Sequence, residues 1–150
     1  MAHIVCNISK GRVAELYDRV KNNDPATSRL VFIPLETTGL EADSVLIDKD
    51  DVAALLSGAT NEQTTMGRKY LTDADLSAGS PDDTNDRNER STPAVVWTGA
   101  TGNAISKIAV CYDPNSSADS AIVPLTIFDF TATPSGLDIQ VNAGVFFRAS

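Results

Sequence analysis

The sequence predicts an α+β fold: mainly an antiparallel sheet or partly closed β-barrel, with one or two helices in its N-terminal half and a long polar loop. Three observations lead there. Helical periodicity is confined to the part of the chain before Gly58. Strand-like runs fill the stretch from Ala94 to Phe147, separated by turn clusters. The connections between those runs are short, and short connections suit antiparallel neighbours, because a parallel crossover takes a dozen or more residues.

Ser9 is placed to cap the first helix, in which Val13, Leu16, Tyr17 and Val20 recur at the three-and-four spacing of one buried stripe. Arg12, Glu15, Asp18, Arg19 and Lys21 fill its other face. The helix ends before Asn23-Asp24-Pro25, since the residue ahead of a proline is pushed out of the helical region. Leu30 to Leu35 is a short apolar run, expected to form a strand covered on both faces. Pro34 cannot donate to a ladder, so this strand is expected at a sheet edge or broken there. Thr37-Thr38-Gly39-Leu40 is a turn. A second helix is expected from Asp48, its cap, with Asp50 and Asp51 at the positive end. Val52, Leu55 and Leu56 are its apolar side and Gly58 its stop.

Met66 to Leu71 reads as a strand. From Thr72 to Pro93 the one large apolar residue is Leu76, so residues 72–93 are expected to be an extended polar loop or arm. Too little chain flanks it for two sound cores, and 1–150 is read as a single domain. Ala94–Thr98, Ile105–Tyr112, Ala121–Thr131 and Leu137–Phe147 read as strands. Gly99 to Asn103 is expected to be a hairpin connection, and Asp113 to Ser117 a turn.

Composition narrows the function. Twenty acidic against twelve basic residues give a net charge of -8, which repels a phosphate backbone unless the cations cluster, and they do not. Nucleic acid is therefore not expected as a partner. No apolar run approaches the ~20 residues of a membrane span, and no membrane partner is expected. The opening residues, Met1 to Asn7, lack the basic region and long apolar core of a signal peptide, so the expected site of synthesis is a cytoplasm, without export by that route. Cys6 and Cys111 stand far apart and read as buried free thiols.

Chemistry-bearing patterns are thin. Thr98 to Asn103 carries two glycines but no Lys-Ser/Thr pair and no third glycine before a helix, so it is not a phosphate loop. Pro81 to Asp86 is rich in oxygen donors, yet its spacing misses that of an EF-hand loop. With Arg87 and Arg90 directly after, Asp82, Asp83 and Asp86 read as a contact-making loop, and these five are the candidate partner-binding residues. His3 is the sole histidine, which leaves a Ser or Cys nucleophile without a well-placed base and leaves no zinc pattern. No enzyme activity, cofactor or metal is expected.

Several segments resemble a family of small virion-associated proteins of tailed bacteriophages and prophages. They run from Gly11-Arg12-Val13-Ala14-Glu15-Leu16-Tyr17 and Asn23-Asp24-Pro25-Ala26 through Thr38-Gly39-Leu40-Glu41-Ala42-Asp43. Arg68-Lys69, Leu71-Thr72-Asp73, Asp82 to Asp86 and Trp97-Thr98 continue the likeness. Val110 to Pro114, Ile122 to Thr126, Asp129-Phe130 and Gly144 to Ser150 close it. The resemblance implies a structural virion protein. Capsid cement or decoration on the outer surface of the phage head is the implied post, with the major capsid protein and copies of itself as partners. A head–tail connector or tail completion protein of the same virion is the alternative. A small acidic chain that resists self-association before docking suits such a role. A carbohydrate-binding β module presenting Trp97 or Tyr112 to a sugar is the reading from another class.

Overall fold

The apolar run at Leu30 lies at the centre of the molecule, as a strand buried on both faces. The computed structural model describes residues 3–115 and 118–149. Its elements are β1 (His3–Val5), α1 (Val13–Lys21), β2 (Arg29–Glu36), α2 (Asp43–Leu46), α3 (Val52–Leu56) and β3 (Lys69–Leu71). Then come β4 (Ser80–Asp82), β5 (Arg87–Thr92), β6 (Val95–Ala100), β7 (Ile105–Asp113), β8 (Val123–Ala132), β9 (Leu137–Val141) and β10 (Gly144–Ala149). The architecture is α+β and antiparallel, and it does not close into a barrel. A five-stranded sheet runs in the order β1-β8-β7-β2-β3, a three-stranded sheet in the order β10-β5-β4, and β6 pairs with β9.

Strand alternation makes the five-stranded sheet the partition between two cores. Leu30 and Phe32 of β2, with Ile108, Val110 and Tyr112 of β7, face α1 and the smaller sheets. Val31, Ile33 and Leu35, with Ala109 and Cys111, face α2 and α3. On β8, Leu125 and Phe128 reach the first core and Ile127 the second. A bulge explains the odd spacing: Val110 lies opposite Thr126 but Cys111 opposite Pro124, so Leu125 is the extra residue. Helix α1 buries the stripe its sequence predicts, Val13, Leu16, Tyr17 and Val20, and ends at Lys21.

Several expectations need correction. Pro34 neither breaks β2 nor puts it at an edge, for β2 lies between β7 and β3. Its pairing with β3 covers only Leu30 to Phe32, so at Pro34 the missing donor meets no neighbouring strand on that side. There the Pro34 carbonyl accepts from Gln63 N–H at 2.9 Å. Ser9 does not cap α1. It sits in a short 3-10 turn, Asn7–Ser9, and its buried hydroxyl donates to the carbonyls of Leu125 at 2.9 Å and Cys6 at 3.0 Å. The second helix is capped by Asp51, whose carboxylate accepts from Ala54 N–H at 2.6 Å, while Asp48 accepts from the Asn7 amide. The described residues form three short α-helices, one more than the upper expectation, because α2 carries no apolar periodicity long enough to read.

Residues 72–93 are not one extended loop. They contain β4 and β5, and Leu76 is buried in the first core. The predicted connection from Gly99 to Asn103 begins inside β6 and does not join paired strands, since β6 pairs with β9 and β7 with β2 and β8. The larger pattern is a single long hairpin. Ile108 opposes Phe128, Trp97 opposes Ile139, Val95 opposes Val141 and Thr92 opposes Gly144. These partners are mirror-related about Ala118, and the remaining pairs from Arg90 opposite Phe147 to Tyr112 opposite Val123 keep that relation to within one residue. Pro93, which has no N–H to give, falls where the β5–β10 ladder stops and the β6–β9 ladder begins. Of the predicted turn from Asp113 to Ser117, Ser116 and Ser117 lie outside the described residues.

Candidate functional site

The β4–β5 turn carries four of the five predicted partner-binding residues, Asp82, Asp83, Asp86 and Arg87, and holds Asp82 and Arg87 in a small charge cluster. Arg87 donates to Asp82 at 2.9 Å and lies 3.0 Å from Glu89, which in turn accepts from Arg148 at 2.7 Å. Asp82 also accepts from the Asn85 side chain at 2.8 Å. That bond first, and Arg87 beside it, hold the Asp82 carboxyl below its ordinary range. Asp83 and Asp86 are exposed, and Asp86 takes the left-handed backbone conformation of a tight turn, φ 49°. The turn therefore presents carboxylates while its half-buried cation, Arg87, is occupied internally.

Arg90 does not belong with them. Its side chain is 9% exposed and points into the molecule, where Nε donates to Asp18 Oδ1 at 2.8 Å and Nη2 to Oδ2 at 2.7 Å. The guanidinium also contacts the Asn88 side chain and lies 5.9 Å from the Tyr17 ring. Arg90 ties β5 to α1 and is not offered to a partner. Its position on a polar stretch gave no hint of this, because the partner stands 72 residues earlier.

The feature that sequence reasoning missed is a cleft between two sheet edges. β1 ends the five-stranded sheet and β10 ends the three-stranded one. Among the described residues β1 pairs with β8 alone and β10 with β5 alone. Between them lie two adjoining hollows of about 260 and 370 Å³ that share His3, Val145 and Phe146. Phe32, Phe128 and Phe130 floor the first, and Val5, Phe147 and Arg148 line the second. Arg148 and His3 are the titratable groups there, and partial burial lowers the histidine's pKa. The signal was present as four phenylalanines in the C-terminal strands, Phe128, Phe130, Phe146 and Phe147, but nothing local places them at one edge.

The other candidates fall into structural roles. Cys6, directly after β1, and Cys111, on β7, are buried free thiols, and burial pushes Cys6 up to about 12 and raises Cys111 as well. Trp97 is buried and donates from Nε1 to the Gly67 carbonyl at 2.8 Å, and Tyr112 is buried as well. Neither ring is presented for stacking on a sugar, so the carbohydrate-module reading loses the residues on which it stood. Among the described residues no group of three or more His, Cys, Asp or Glu is placed to hold a metal ion. No helix of the described residues is long and apolar enough to cross a membrane. No family model, curated protein or solved structure matches the chain.

Proposed function

We propose that the protein is a structural component of a tailed-phage virion, with capsid cement or decoration on the outer surface of the head as its post. The observation that carries this reading is the set of segments, spread from Gly11 to Ser150, that resembles small virion-associated proteins. Physical features support it. The exposed β4–β5 turn presents Asp83 and Asp86 at one place on the surface, and two sheet edges stand free at another. A lattice-binding protein needs contacts distributed in this way. With a net charge of -8, copies repel one another in solution until a docking partner offsets that repulsion.

Copy number in purified virions is the test. A cement protein is expected in fixed ratio to the major capsid protein, on the order of hundreds of copies, whereas a ring at the head–tail junction contains about six or twelve, as closed symmetry requires. Quantitative mass spectrometry of the particles reads the ratio directly. A ratio near six or twelve moves the protein to the neck, and its absence from particles removes the virion reading.

A further inference from the structure

The cleft between β1 and β10 has the form of a seat for one more strand. Cys6 N–H donates to the Leu125 carbonyl at 3.0 Å, so the hydrogen-bonded pairs of β1 with β8 fall at Cys6 and Ile4. Alternation in an antiparallel ladder then directs the main-chain groups of His3 and Val5 away from β8, along the sheet edge beside the cleft that these two residues line. Val145 to Arg148 of β10 form the opposite wall. A hollow of about 260 Å³ opens beside this row, floored by phenylalanine side chains. Main-chain groups along one wall and an apolar hollow next to them are the two elements by which a sheet edge captures an extended peptide.

The geometry points to a docking site for an extended, uncharged segment of a partner protein, which adds as a strand to the β1 edge and sets one large apolar side chain into the Phe32–Phe128–Phe130 hollow. Charge selects the segment. The chain carries twenty Asp and Glu, yet among the described residues none of them lines the cleft. Its one formally charged wall residue, Arg148, already pairs with Glu89 at 2.7 Å. The first hollow is thus mostly apolar and lined by no formally charged side chain, and a charge buried there would have no counter-ion. Charge argues against a second copy as the occupant, since each copy brings a net charge of -8. The inference concerns the isolated chain and goes beyond the virion reading, whose own test is copy number.

The experiment is a titration of ¹⁵N-labelled protein with a short blocked peptide of alternating threonine and phenylalanine. A matched peptide with N-methylated amides along one edge and a proline-broken one serve as controls. Saturable shifts are expected at His3 to Val5 and at Val145 to Phe147. N-methylation, and separately Val145→Asp, should each weaken binding about ten-fold or more, the equivalent of losing one or two hydrogen bonds or of burying an unpaired charge. Val5→Pro removes an outward-facing donor and should act in the same direction. If that variant unfolds, Val145→Asp at a 44% exposed position and the N-methylated peptide carry the test. Absence of saturable shifts at millimolar peptide overturns the proposal. Equal binding of the N-methylated peptide reduces the site to an apolar hollow and overturns strand addition. Shifts at the same residues on raising protein concentration without peptide assign the cleft to a second copy instead.

Discussion

Arg90 grips Asp18 through two parallel hydrogen bonds of 2.7 and 2.8 Å, joining the middle of β5 to the first helix. Planar guanidinium–carboxylate pairing of this kind combines charge with fixed geometry. Gly79 lies against the same guanidinium so closely that a Cβ there would run into Arg90 Nη1 and Cζ. The head group cannot swing aside without letting go of Asp18.

Arg90→Ala should therefore destabilise the protein by about 2 kcal/mol, the range for hydrogen bonds to charged groups. At this chain length that lowers Tm by roughly 4–8 °C. Arg87→Ala, which touches only surface carboxylates, should stay within about 0.5 kcal/mol. Gly79→Ala should cost stability in the natural protein and much less once Arg90 is alanine, because the two changes act on one contact. Urea denaturation of the four variants in a double-mutant cycle checks this. Additive costs would mean that Gly79 matters for another reason.

The β4–β5 hairpin should be protected in the isolated protein. Amides of Arg87 to Ser91 that pair with β4 or β10 are expected to exchange slowly, and deleting 82–90 should lower Tm. Composition alone suggests the opposite, a free arm whose removal leaves Tm unchanged. Hydrogen exchange on the monomer separates the two.

Arg68 bridges two carboxylates, donating to Glu62 at 2.8 and 2.7 Å and to Asp119 at 2.6 and 3.0 Å. Arg68→Ala would leave Glu62, 13% exposed, beside Asp119 with no cation, at a cost of about 3 kcal/mol. The sign with pH follows from Asp119, whose carboxyl Arg68 holds below its ordinary 3.8. A lowered pKa gives stability that is present above the ordinary value and lost as pH falls through the folded one. The gap between natural protein and variant should thus be full at neutral pH and shrink as the carboxylates protonate. A gap that stays constant down to pH 3 would show that Arg68 works by packing.

On the alkaline side the thiols set the expectation. Burial raises Cys6 from 9.0 to about 12 and Cys111 in the same direction. A raised pKa gives stability that is full below the unfolded value and lost as pH climbs through the folded one. Stability should accordingly decline from about pH 9 upward, and less steeply in Cys6→Ala/Cys111→Ala once its own lower baseline is subtracted. At pH 8 a disulfide reagent should label the folded protein slowly and the urea-unfolded protein at once. Fast labelling of the native state would contradict the buried placement.

What the sequence disclosed divides by range. Periodicity is a local property, so the stripe of α1 and the apolar β2 were legible, as was the β-rich C-terminal third. Partnership across the chain was not. Nothing near Arg90 announces Asp18, and a stretch dense in Asp, Asn, Ser and Thr reads as a loop when its strand partner, Gly144 to Ala149, lies past four other strands. Pro34 misled for the same reason. Its tolerance depends on where β3 stops, which is a fact about a neighbour. Of the candidate site, the carboxylate turn was visible as composition. The β1–β10 cleft was invisible because it is a relation between two sheet ends.

The mirror arrangement of 87–149 about Ala118 bears on how the molecule comes together and comes apart. Each pair on this hairpin becomes close in effective chain length once the pair inside it has formed, so closure entropy is incurred mainly at the turn. Assembly by this route spreads outward, from Tyr112 beside Val123 to Asn88 beside Ala149. One wall of the β1–β10 cleft, β10, lies at the outermost end of that sequence, where local opening is cheapest, while β1 is paired with β8 nearer the turn. Whatever occupies the cleft would clasp the last-formed teeth of a zipper, and through them resist the unfolding of everything nearer the turn.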